Sequence, residues 1–133
     1  MLLVKESING EERVLLCVNA SLKRKAKDLI ILNVRELSSF ADYFIICSGT
    51  SDRQVQAIAE SIQENLKENG ILPLGVEGER IGKWVLMDYE DIIVHIFYEP
   101  IREFYDIERL WSDAPRMVIE DDVTELKALD KGM

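Results

Sequence analysis

YFIICSGTSDRQVQAIAESIQENLKENG, residues 43–70, joins an apolar run to a small polar corner and then to a long amphipathic repeat. Tyr43 to Ser48 is short, rich in isoleucine and free of alternation, the signature of a buried strand. Beyond the corner, Val55, Ile58, Ala59, Ile62 and Leu66 recur at i, i+3, i+4, i+7 and i+11, one face of a helix. Ser51 and Gln54 fit a capping box at its start, and Gly70 fits the left-handed residue just past its end. A strand feeding a helix through a tight corner sets an α/β reading for the whole chain.

Corners of this layout hold a nucleophile or a phosphate in many enzymes. SGTSDRQ lacks the Gly-Lys-Ser/Thr that a phosphate loop needs, and it lacks the Gly-x-Ser-x-Gly of a nucleophile elbow. A Cys47 nucleophile would require a base, and the single histidine, His95, lies in the middle of another apolar run. The structural reading is that Ser51 caps, Gly49 permits the turn and Cys47 packs. Anion binding at Gly49–Ser51, on the helix N-terminus, is the functional alternative.

Outward from the corner, residues 11–28 read as a helix, with Val14, Leu15, Val18 and Leu22 at helical spacing. LIILNV (29–34) reads as a strand. Downstream, a stretch with Gly75, Gly78 and Gly82 leads into WVLMD, and the polar DYED precedes DIIVHIFY, so the two runs read as a hairpin. Pro100 suits the first turn of a last helix, IREFYDIERLW, in which Ile101, Phe104, Tyr105, Leu110 and Trp111 would face a sheet. The sum is an α/β (α+β) domain, a mixed β-sheet of about five strands flanked by helices. It spans residues 1–117, with an acidic tail at 118–133 holding at best a short, poorly anchored helix.

Composition narrows the function. The chain of 133 residues carries 25 acids against 16 bases, a net charge of −9. Nucleic-acid affinity comes chiefly from cations on phosphates, so one cluster, Lys23-Arg24-Lys25-Lys27, does not support dominant nucleic-acid binding. A basic protein partner is attracted by the same field. No apolar run reaches the length of a membrane span, and MLLVKESINGEER meets acids too early for a secretion signal. Cys17 and Cys47 sit in apolar runs without metal-ligand spacing, which suits reduced core thiols and a cytoplasmic protein needing no metal or cofactor.

The hairpin allows a finer expectation. With Tyr89-Glu90 as a two-residue loop, Asp88 pairs with Asp91, Leu86 with Ile93 and Trp84 with His95. Alternation then places Trp84, Leu86, Asp88, Asp91, Ile93, His95 and Phe97 on one face. Val85, Met87, Ile92, Val94 and Ile96 fall on the other, aliphatic face. The first face combines an aromatic anchor, aliphatic area and acids, the composition of an interface; the alternative is a second, covered sheet face with Trp84 buried. The trio Asp88, Glu90 and Asp91 also admits a metal-dependent nucleotidyl-transfer reading, although acids are ordinary at hairpin tips.

ADYFIICSGTSDRQVQAIA (41–59), GVEGERIGKWVLMDYEDIIVHIF (75–97) and REFYDIERLWSDAP (102–115) together resemble the ribosomal silencing factor, or Iojap-like, family. The resemblance runs from about residue 12 to 115. Glu90 stands where that family commonly has glycine, and the tail after Met117 lies outside the shared part. The resemblance implies a nucleotidyltransferase-like fold without transferase activity. It implies binding to the large ribosomal subunit through its protein fourteen, on the face that meets the small subunit, so that subunit joining is blocked. The family includes dimers, so the same face is expected to serve in a homodimer off the ribosome. The expected contact residues are Trp84, Leu86, Asp88, Tyr89, Asp91, His95 and Tyr105, with the two aspartates meeting Lys or Arg of the partner.

Overall fold

The computed structural model describes residues 9–119 and 126–128. Helix α1 (Gly10–Lys23) opens on Asn9, whose side chain accepts from the Glu12 amide at 2.8 Å. It ends five residues before the expected limit, because Lys25 turns the chain at φ +60° and Lys27 already begins a strand. Strands β1 (Lys27–Asn33) and β2 (Tyr43–Gly49) follow, then helix α2 (Asp52–Glu68). The helix starts as its sequence indicates: the Gln54 amide donates to Ser51 Oγ at 3.1 Å. The Gln54 side chain reaches one residue further back, accepting from the Thr50 amide at 2.6 Å. At the other end Gly70, at φ +77°, lets Ile71 N–H return to the Leu66 carbonyl at 2.8 Å.

Strands β3 (Gly75–Glu77), β4 (Trp84–Asp88) and β5 (Ile92–Tyr98) complete the centre of the sheet. The expected last helix is two, α3 (Glu99–Tyr105) and α4 (Ile107–Leu110), broken at Asp106, which stands in the left-handed region at φ 44°. That break brings Glu108 back onto Arg102, whose Nε and Nη2 reach its two carboxylate oxygens at 2.9 and 3.2 Å. Ile101, Ile107 and Trp111 pack inward, whereas Phe104, Tyr105 and Leu110, expected to pack, are exposed.

The sheet is mixed, in the order β3-β4-β5-β2-β1-β6-β7. Among the described residues only β2 and β5 pair in parallel, and the chain between them passes through α2, β3 and β4. Two short strands, β6 (Arg116–Ile119) and β7 (Leu126–Ala128), extend it beyond the strands read from the sequence. β6 adds antiparallel to the open edge of β1, where a poorly anchored helix was expected. Residues 120–125 and 129–133 of the acidic tail, and residues 1–8, lie outside the described residues. Helices α1 and α2 cover one face over a core that includes Val14, Val18, Ile58, Ile62, Ile45 and Val94. On the opposite face α3 and α4 lie over a smaller cluster around Phe44, Ile46, Ile93 and Phe97. Cys17 and Cys47 are both buried, and burial pushes the Cys47 thiol up to about 12, so neither is a ready nucleophile.

Candidate partner-binding face

The faces of the two strands are those expected, but Asp91 leaves the Trp84 face for Arg13 on α1, and the register differs. Trp84 pairs with Phe97, Leu86 with His95 and Asp88 with Ile93. The ladder therefore runs one pair further than Asp88, closing with Tyr89 N–H on the Ile92 carbonyl at 2.9 Å. The loop is Glu90-Asp91, one residue later than Tyr89-Glu90. The cause is Tyr89, which shares the core face with Val85 and Met87 and is drawn in until 1% of it remains exposed. A shift of two in register preserves the alternation, so Trp84, Leu86 and Asp88 still share one face with Ile93, His95 and Phe97.

The turn is strained at one point. Asp91 N–H bonds the Tyr89 carbonyl at 3.0 Å across Glu90, which stands at φ +78°, a three-residue turn that few side-chain-bearing residues adopt. Asp88 Oδ1 steadies it by accepting from the Glu90 amide at 2.8 Å. Asp91 is engaged inward: Arg13 Nη1 lies 3.2 Å from its Oδ1, and its carbonyl accepts from the Asp42 and Tyr43 amides.

On the second face of the sheet an aromatic row crosses the strands. Phe40 lies 6.2 Å from Phe44, Phe44 meets His95 edge-on at 5.5 Å, and His95 lies 6.0 Å from Trp84. Trp84 sits 4.8 Å from Phe97 beneath it and 5.0 Å from Tyr105 on α3, which in turn contacts Phe104 at 5.0 Å. The middle of the row is buried and its ends are open, Phe40 at 61%, Tyr105 at 52% and Phe104 at 79% exposure. Trp84 donates its indole N–H to His95 Nδ1 at 3.2 Å. Burial lowers the His95 pKa from 6.5 to about 4, so the imidazole is neutral at physiological pH.

Of the seven expected contact residues, Trp84, Leu86, Asp88 and Tyr105 are accessible in some part on this side. Tyr89 is a correction: it lies in the core beneath the other face and offers a partner no surface. His95 is 93% buried and acts within the row rather than at its surface, and Asp91 is already paired to Arg13. Phe40, Phe44 and Phe104 belong to the row and are not among the expected contact residues. Phe44 reads as an ordinary core residue because every residue of β2 is buried, leaving no alternation to mark its face.

The alternative catalytic arrangement does not assemble. Gly49 pairs with Tyr98 at one end of β5, whereas Asp88 pairs with Ile93 at the other. Five residues of extended strand separate them by roughly 16 Å. The open cleft beside Ser48 is lined by Asp28, Glu99, Glu103, Asp106 and Glu108 around Arg102, which donates to Ser48 Oγ at 2.8 Å. Five carboxylates against one guanidinium oppose a phosphate there.

A family model described as "Ribosomal silencing factor during starvation" matches residues 7–132, well past Met117. A curated ribosomal silencing factor from Halalkalibacterium halodurans is 40% identical over 113 residues, covering 85% of this chain and 97% of that protein. Another from Bacillus subtilis is 46% identical over 92 residues, 69% of this chain and 78% of its own. Among solved structures, a Chromobacterium violaceum protein aligns with a TM-score of 0.75 at 42% identity, covering 76% of this chain and 84% of that one.

Proposed function

The chain belongs to the ribosomal silencing factor family, and from that premise and the aromatic row we propose that it represses translation by seating on the large ribosomal subunit through ribosomal protein fourteen. Seated there it blocks joining of the small subunit by occupying the space that subunit needs, in the cytoplasm and without catalysing a reaction. The observation that carries the reading is the row from Phe40 to Phe104, apolar, continuous across three strands and a helix, and open at both ends. Trp84 and Tyr105 supply the anchor, Leu86 aliphatic area, and Asp88 a carboxylate for a basic partner.

Two measurements test it. In a sucrose gradient, adding the protein to separated subunits should lower the amount of joined ribosomes, and undiminished joining would overturn the proposal. Trp84→Ala should abolish co-sedimentation with large subunits while leaving the protein folded, and unchanged co-sedimentation would remove Trp84 from the contact.

A further inference from the structure

His95 holds the aromatic row together from inside, and its geometry is specific. The bond to Trp84 is a diagonal one, since Trp84 stands opposite Phe97 and His95 opposite Leu86. To accept the indole hydrogen, Nδ1 must be bare, which places the ring's own hydrogen on Nε2. The ring is wedged edge-on against Phe44 and nearly parallel to Phe97, at 6.1 Å and 10°. Only 7% of the residue is exposed, so neither rotation nor protonation is cheap.

We propose that His95 is a positioning residue for partner docking: its neutral imidazole fixes the indole of Trp84 through Nδ1 and so pre-forms the anchor of the docking face. A tryptophan partly exposed on a sheet has two side-chain torsions to order when a partner arrives. Here one hydrogen bond and three aromatic contacts, to Phe97, His95 and Tyr105, order them beforehand. The surface therefore meets its partner already arranged, and the ordering cost is taken out of association. The consequence for docking rests on the large-subunit reading above, whereas the clamp on Trp84 is a property of the free protein.

The two indole N–H signals, from Trp84 and Trp111, are resolved by ¹H–¹⁵N NMR and assigned with Trp111→Phe. In His95→Phe, which keeps a ring of similar shape in the slot, the Trp84 indole hydrogen should exchange about tenfold faster and large-subunit affinity should fall about tenfold, the worth of one hydrogen bond. Backbone amide signals of the sheet should persist. His95→Asn, which returns an oxygen acceptor near the position of Nδ1, should bring both readings back to within about threefold. Unaltered Trp84 exchange in His95→Phe overturns the proposal, as does a folded His95→Asn no better than His95→Phe. If His95→Asn does not fold, the exchange rate in His95→Phe decides alone. Failure of the unmodified protein to bind large subunits would sink the docking reading and leave the exchange measurements to judge the clamp.

Discussion

A single buried imidazole makes this protein's stability sensitive to mild acid. The unfolded chain binds a proton at His95 near pH 6.5, whereas the folded one resists until about 4. Between those values the unfolded state holds more protons, so stability rises with pH across the window and is lost as pH falls through it. The full contribution is present above 6.5. Urea unfolding at pH 7 and 4.5 should show the wild type losing about 2–3 kcal/mol more than His95→Phe, which has no proton to take up. Equal losses would mean that the imidazole is not shielded as the structure shows. Glu90 presents the opposite case, a residue whose side chain does not suit its backbone. Glycine adopts φ +78° without steric cost, so Glu90→Gly should raise stability by about 1 kcal/mol in the same assay. It should leave large-subunit binding unchanged, since the side chain is exposed at the tip and away from the row.

At the scale of elements, the start of α2 shows what a cap contributes to stability. Ser51→Ala removes the acceptor for the Gln54 amide and should cost about 1 kcal/mol. If the corner were a functional site, the same change would also impair association with large subunits; the expected result is lower stability with binding intact. This helix was legible in the sequence because cap, period and stop agree locally. The hairpin's two faces were legible for a similar reason, since alternation survives a shift of two. Its register was not legible, because it depends on Tyr89 finding room beside Met87, a tertiary fact. The split at Asp106 likewise depends on Arg102 and Glu108 meeting over Ser48. Strand β6 forms because β1 has an unpaired edge, which nothing local in an acidic tail announces. The aromatic row was half legible: Trp84 and Tyr105 stood out by residue type, while Phe40 and Phe44 join it only once β2 lies beside β5.

For the molecule as a whole, charge and apolar area have separate tasks. On the proposed reading, a net charge of −9 would draw a basic partner in from a distance on the order of the Debye length, about 8 Å at physiological salt. The aromatic row would act only after contact, through desolvated area. Asp88 is where the two meet, at the β4 end of the face that carries Trp84 and Leu86. Asp91 cannot share this role fully, because Arg13 already neutralises it. Asp88→Asn is a clean probe, since asparagine keeps the Oδ1 that accepts from the Glu90 amide and removes only the charge. Association with large subunits, followed in real time, should slow by about two- to threefold at low salt, with the dissociation rate unchanged. The difference should close as salt rises through physiological strength. Tyr105→Ala should do the reverse, leaving association nearly unaltered and speeding dissociation, because its ring packs on Trp84 at the open end of the row. If Asp88→Asn instead raises the dissociation rate and keeps its effect in high salt, the carboxylate lies in a desolvated contact, and steering must be sought among the protein's other acids.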